Sequence, residues 1–174
     1  MNHDLIPMAG PTRILALSDT HFSKKEQVLP GLLTDRFDEV DYIVHAGDYT
    51  TIELVDELEK TGKFVGVQGN MDSSPVKKKL PEIGSIELGH VVLGVIHGSG
   101  GPKGIVERIH ATCKTHSFNV VIFGHTHQHY EQELDGIKYF NPGSPVDKRF
   151  AKENGFLLLN VDGIDDVTAE YISL

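Results

Sequence analysis

The sequence has little cysteine, no basic excess and no long apolar run, and each shortage excludes something. Cys113 is the single cysteine in 174 residues, so no disulfide can form within the chain. Lys and Arg number 16 against 25 Asp and Glu. That balance argues against an extended nucleic-acid surface or a seat on an anionic membrane, since both need a basic face. No apolar run approaches the ~20 residues of a membrane span. The start, MNHDLIPMAGPTR, lacks a basic stretch followed by an apolar block, so no signal peptide is expected and the expected location is cytoplasmic. No internal repeat, low-complexity tract or linker divides the chain. One domain over residues 1–174 is expected, with its core from about 12 to 174 and a tail at 1–11. The KKK run at 77–79 reads as a short solvated patch. The composition is compatible with an oligomer but specifies none.

What is present is a series of short apolar runs. RILAL (13–17), YIVHA (42–46), FVGVQ (64–68), VVLGVI (91–96) and VVIF (120–123) are β-branched and nearly continuous in apolar character. Buried strands of an α/β sheet read this way. Between them, residues 51–63 place Ile52, Val55 and Leu58 on one face with Leu54 beside them, between a Thr start and Gly62 as cap signals. Residues 103–116 put Cys113 in step with Ile105, Val106 and Ile109, so its thiol is expected to be buried rather than reactive. A helical pattern at 26–39 is interrupted by Pro30 and Gly31. After VVIF the style changes to two runs joined by Asp-Gly, a hairpin signal that recurs between 155 and 174. The first two thirds therefore reads as βαβ-like and the last third as antiparallel, which fits an α/β architecture of stacked mixed sheets flanked by helices.

All five runs end in small and polar residues. The first reaches Asp19 and His21, the second Asp48, the third Asn70 with Asp72 close behind, the fourth His97, and the fifth His125 and His127. Ligands gather at the carboxyl ends of strands in α/β sheets, so five ends of one sheet edge are expected to converge. Two carboxylates, one carboxamide oxygen and four imidazoles suit Mn, Ni, Co, Fe or Zn better than Ca or Mg. Seven ligands are too many for one catalytic ion with open positions, but they suit two divalent ions if one Asp bridges. Two ions ~3.5–4 Å apart are a standard device for in-line displacement at phosphorus, with a shared hydroxide as nucleophile. His129 continues the alternation of His125 and His127 but lies beyond the turn, at the rim or surface. His45 stands three residues before Asp48. It reads either as a satisfied core histidine or as a group approaching the site from behind.

With D-x-H, GD, GN-x-D, HG and GHTH in this order, the sequence resembles the calcineurin-like metallophosphoesterases, most of all the small bacterial and archaeal phosphodiesterase branch related to the retromer subunit of this fold. The resemblance spans roughly residues 12–170 and includes NPGS at 141–144, which approaches the site in this branch. It implies a four-layer α/β/β/α sandwich. It also implies two metal ions per chain: Asp19, His21 and His127 holding the first, Asn70, His97 and His125 the second, and Asp48 bridging. The implied catalytic set is Asp48, Asn70, His97 and His125 around a hydroxide. The implied activity is hydrolysis of a small phosphodiester, with phosphomonoester or nucleotide hydrolysis and a non-catalytic scaffold as the alternatives. Many relatives carry a His after the Asn, to protonate the leaving group; here Met71 stands there, and His45 is the nearest candidate for a substitute acid. His129 also departs from the family, where proline is common.

Overall fold

Strand β1 (Thr12–Leu17) sets up the layers of the fold. Successive side chains of a strand point to opposite faces, and Ile14 and Ala16 on one face and Leu15 and Leu17 on the other are all fully buried. A strand apolar on both faces needs cover on both. In the computed structural model, which describes residues 10–24 and 26–174, β1 lies at the centre of a five-stranded sheet. Most of the expected tail, residues 1–9, lies outside the described residues.

On one side β1 pairs in parallel with β2 (Tyr42–His45), and β2 with β3 (Phe64–Gly66). On the other it pairs antiparallel with β9 (Gly155–Val161), which continues into β10 (Val167–Ser173). The second sheet has β4 (Ile83–Leu88), β5 (Val91–Ile96), β6 (Val120–Phe123), β8 (Ile137–Pro142) and β7 (His129–Leu134) in that spatial order. There β5, β6 and β8 run parallel, with β4 and β7 antiparallel at the edges. Asp135 and Gly136, at φ 51° and 75°, make the β7–β8 turn, as an Asp-Gly pair with both residues left-handed does.

The two sheets bury Ile14, Ala16, Val44, Leu93, Val95 and Ile122 between them. Leu15, Leu17 and Ile43 face the other way, onto α1 (Gly31–Thr34), α2 (Ile52–Glu59) and α3 (Ser74–Lys79) through Leu33, Leu54, Val55, Leu58 and Val76. Val121 and Phe123 of the second sheet pack on α4 (Ile105–Cys113) through Ile105, Val106, Ile109 and Cys113. This is the expected four-layer α/β/β/α sandwich, and Cys113 is buried. Truncating any of these central side chains, Leu15→Ala for instance, should cost ~2–5 kcal/mol. Among the described residues no helix is long and apolar enough to cross a membrane.

Several expectations need correction. The five strand ends come from two sheets, not one edge: β1, β2 and β3 belong to the first and β5 and β6 to the second. They still converge, because the parallel strands of both sheets point their carboxyl ends to the same end of the sandwich. The first two thirds is not purely βαβ-like, since β4 pairs antiparallel with β5. Thr51 precedes α2 without a side-chain cap bond, whereas Gly62 takes the left-handed φ of 70° expected after a helix. The 26–39 pattern yields one short helix and a 3₁₀ turn at Phe37–Glu39. The KKK run is not merely solvated. It ends α3, with Lys79 Nζ 2.8 Å from Asp56 Oδ1 and 2.6 Å from Glu59 Oε2, and Lys77 Nζ donates to the Asn70 carbonyl at 2.9 Å.

Candidate metal centre

Five of the seven expected ligands sit in left-handed backbone: Asp19, His21, Asp48, His125 and His127, with φ between 46° and 74°. For residues other than glycine this conformation costs roughly 1–3 kcal/mol each and persists only when the surroundings over-determine it. Here they do. The Asp19 N–H donates to the Gly47 carbonyl and the His21 N–H to the Asp48 carbonyl, both at 3.0 Å. Ser144 Oγ, from the NPGS segment, donates to the Asp19 carbonyl at 2.8 Å. Asn141 Nδ2, from the same segment, donates to the Gly124 carbonyl at 2.8 Å. Two glycines allow the loops to touch. A Cβ at Gly124 would lie 2.0 Å from Ser18 Oγ, and one at Gly69 would lie 2.1 Å from Asp48 Oδ1.

Asp72 is a clamp for this backbone rather than a member of the donor set. Its Oδ2 accepts from Gly69 N at 2.6 Å and Asp48 N at 3.1 Å, and its Oδ1 accepts from Thr50 N at 2.7 Å. It therefore ties the second strand end to the third.

The side chains that remain converge on one pocket. Asp48 Oδ2 lies 3.5 Å from His21 Nε2 and 3.2 Å from His97 Nε2, standing between the two halves of the set. On one side Asp19 Oδ1 is 3.5 Å from His127 Nε2 and 3.9 Å from His21 Nε2, and the two imidazole Nε2 atoms face each other at 3.2 Å. On the other side Asn70 Oδ1 is 3.1 Å from both His97 Nε2 and His125 Nδ1. Asp19, His21 and His127 form one tight group of donors, and Asp19, Asp48 and His97 form a second that shares Asp19 with the first.

The outer nitrogens fix which inner nitrogens carry lone pairs. A carbonyl oxygen only accepts, so His97 Nδ1, 2.7 Å from the Ala46 carbonyl, is the protonated nitrogen, as is His125 Nε2, 2.8 Å from the Gly100 carbonyl. His127 Nδ1 lies 3.0 Å from Asp147 Oδ2, a close contact without the alignment of a hydrogen bond. In the neutral rings His97 Nε2 and His125 Nδ1 are then acceptors, and they crowd the Asn70 carboxamide oxygen and the Asp48 carboxylate. Acceptors crowded this way need cations between them, so the residues fit a divalent-metal site. Its electrostatics agree. Burial raises the Asp19 carboxyl to about 6, against the pull of His97 and His127. Burial acts against the charged form of His97 too, but the hydrogen bond and charge of Asp48, with Asp19, raise it above its ordinary value. Burial likewise pushes Asp48 up, yet His97 and the Met71 N–H outweigh it and hold the carboxyl below its usual range.

His45 is not brought to this pocket. It is fully buried, accepts the Gly47 N–H at Nδ1 (3.2 Å), meets Thr20 Oγ1 at Nε2 (3.1 Å) and stacks on Tyr49 with ring centroids 3.8 Å apart. His129 is exposed, stacked on Tyr171 at 4.3 Å. Met71 is 60% exposed and lines a cavity of about 600 Å³ with His21, Asp48, Asn70, His125 and His127. Asp147 carries no ligand signature in the sequence. Its Oδ2 accepts N–H bonds from Phe150 (2.7 Å) and Ala151 (2.8 Å), and its Oδ1 from Arg149 (3.1 Å). Burial raises its pKa, but these bonds and His127 outweigh that and hold it far below the ordinary carboxylate value. An Asp opening a turn three residues after NPGS was the only trace of it in the sequence.

Comparison with known proteins gives the arrangement its context. The chain is 34% identical, over 160 residues covering 90% of it and 89% of the relative, to a probable metallophosphoesterase of Methanothermobacter thermautotrophicus. It is 24% identical to a phosphodiesterase of Methanocaldococcus jannaschii, over 75% of this chain and 82% of the other. Vacuolar protein sorting 29 of Cryptosporidium parvum shares the fold at TM-score 0.73 and 18% identity, with 95% of this chain and 98% of that one covered. The family model of the calcineurin-like phosphoesterase superfamily domain matches residues 12–163, a span that holds every ligand described above, and the chain belongs to that family of metal-dependent phosphoester hydrolases.

Proposed function

We propose that the protein is a phosphodiesterase of small substrates that works with two divalent metal ions. The observation that carries this reading is the position of Asp48 Oδ2, between His21 Nε2 at 3.5 Å and His97 Nε2 at 3.2 Å. A carboxylate there serves both halves of the donor set. Asp19, His21, His127 and Asp48 would hold one ion, and Asn70, His97, His125 and Asp48 the other. Such a pair supplies an acidified water as nucleophile and neutralises charge on the phosphoryl oxygens.

The chain's own residues do the rest. The Ala46 and Gly100 carbonyls fix ring orientation, so that His97 and His125 aim lone pairs inward, and Asp147 stands beside the outer nitrogen of His127. The Met71 N–H holds the other oxygen of Asp48 at 2.8 Å, leaving Oδ2 for the centre. Lys77 secures the Asn70 backbone. The Met71 side chain offers no proton to a leaving group, which favours diesters with good leaving groups over monoesters. The phosphodiesterase among the relatives points the same way. A scaffold reading draws on the vacuolar sorting protein's fold, but a scaffold has no need of seven intact ligands.

The test is metal counting on purified protein, paired with hydrolysis of bis(4-nitrophenyl) phosphate and 4-nitrophenyl phosphate. The reading expects about two ions per chain, faster turnover of the diester and loss of activity to chelator restored by Mn, Ni or Co. Full activity without bound metal, or a faster monoester, would overturn it.

A further inference from the structure

Next to the donor set, the loop after NPGS presents three side chains that the chemistry above leaves unused. Phe150 is 64% exposed, and its ring stands perpendicular to that of His127, with centroids 5.5 Å apart and planes at 86°. At that exposure most of the ring lies open to the cavity and solvent. Lys148 and Arg149 precede it and line the same cavity of about 600 Å³. Among the described residues neither has an ion-pair partner, in a chain with an acidic excess of nine.

The loop is not a loose tip. Asp147 gathers the N–H groups of Arg149, Phe150 and Ala151, and Asn154 Nδ2 donates to the Asp147 carbonyl at 2.6 Å. Gln128 Nε2 reaches the Phe150 carbonyl at 3.4 Å. The carboxylate that organises the loop also lies 3.0 Å from His127 Nδ1. Phe150 is thereby fixed relative to the donor set. Thr20, Ser23 and Gln27 line the same cavity and bring polar groups to it.

An exposed aromatic ring held rigidly beside unpaired cations, within one cavity, is a combination that recognises a planar aromatic group attached to an anion. We infer that Phe150 is a stacking platform for an aromatic heterocycle on one ester arm of the substrate, with Arg149 and Lys148 complementing its negative charge. The ligand class is a phosphodiester bearing a nucleoside-type group. This rests on the phosphodiesterase reading and narrows it, making Phe150 a determinant of specificity.

The probes are adenosine 5′-phosphate and ribose 5-phosphate, which share the phosphate and sugar and differ in the base. Their binding to the Mn-loaded protein is measured by calorimetry for wild type, Phe150→Ala and Phe150→Trp. Wild type should bind the adenosine compound about tenfold more tightly, within the range of one base stacked on an aromatic side chain. Phe150→Ala should bring the ratio to near one, and Phe150→Trp should keep or raise it. A wild-type ratio near one, or a ratio unchanged in Phe150→Ala, overturns the platform. Hydrolysis of bis(4-nitrophenyl) phosphate by the same wild-type sample separates the two ideas. If the diester is cut but the ratio is near one, the platform alone fails. If the diester is not cut, the phosphodiesterase reading fails, and the binding ratio still decides whether Phe150 recognises the base.

Discussion

His127 Nδ1 lies 3.0 Å from Asp147 Oδ2, while the opposite nitrogen of the ring lies 3.5 Å from Asp19 Oδ1. Asp147 is therefore linked to the centre through an imidazole. It stands where a carboxylate can hold the His127 ring in place once Nε2 ligates. Partners of this kind are typically worth 10–100-fold in metal affinity. Asp147→Asn should weaken Mn binding by about that factor at one of two sites, as read by calorimetry. Equal affinity at both sites in the variant and wild type would show that Asp147 only folds its loop.

Asp48 should be the most damaging single substitution. Its Oδ2 stands between His21 and His97, so Asp48→Ala removes a donor from both halves together with the charge that offsets the cations. His127→Ala should lower occupancy mainly on the Asp19 side, and Asn70→Ala mainly on the His97 side. Elemental analysis of each purified variant checks this: near-complete loss of metal is expected for Asp48→Ala and partial loss for the others. Wild-type metal content in Asp48→Ala would mean that it bridges nothing.

Protons and metal compete for the same atoms, so affinity should follow pH with a predictable sign. Asp19 is raised to about 6 by burial, and His97 is raised above its ordinary 6.5, chiefly by Asp48 and Asp19 acting against burial. Both must lose their protons to ligate. Metal affinity should therefore fall as pH drops to about 6, and binding near pH 6 should release protons. The metal-free protein has a linked signature of its own. A carboxyl whose folded pKa lies above its unfolded value favours the folded state at low pH. The Asp19 contribution is thus lost as pH rises from about 4 to 6. Calorimetry in buffers of different ionisation enthalpy reads the proton release. Affinity independent of pH between 8 and 6 would contradict both assignments.

The sequence carried the centre better than it carried the scaffold, and the reasons are physical. A metal ligand must be a particular side chain at a strand end, and the cluster at Asp19, Asp48, Asn70, His97 and His125 is visible without any fold. Which sheet each strand joins is decided by pairing over long separations, such as β6 with β8 and β1 with β9, and local pattern does not encode it. Strand β4 was hidden because Gly84 stands where its alternation with Ile86 and Leu88 calls for an apolar side chain. Short α3 was masked by its lysines, of which Lys79 finds its partners Asp56 and Glu59 on α2. Asp147 was silent because an Asp in a turn has many local uses, and only the chain's return past His127 gives it this one. His45 shows the converse. Its sequence position beside Asp48 suggested an approach to the site, but it belongs to β2 and faces Thr20 and Tyr49.

A pair of cations would supply nucleophile and charge screening, but protonation of the leaving alkoxide needs a donor, and a positioned acid is typically worth ~10²–10⁴-fold. Met71 lines the cavity, 60% exposed, and cannot donate from its side chain. The burial of His45 holds its pKa well below the ordinary value, and its two nitrogens are committed to Gly47 and Thr20. It is therefore a neutral ring outside the cavity and no substitute acid. The rate should then depend steeply on the leaving group's own pKa, with activated aryl diesters cut well and alkyl esters poorly. Met71→His places an imidazole on the cavity wall and should flatten that dependence, most visibly for monoesters. The measurement is log kcat against leaving-group pKa for wild type, Met71→His and His45→Asn. The His45→Asn slope should match the wild-type slope. A shallow wild-type slope that steepens in His45→Asn would instead make His45 the acid, acting through Thr20. A shallow slope unmoved by either substitution would assign the protonation to another group lining the cavity.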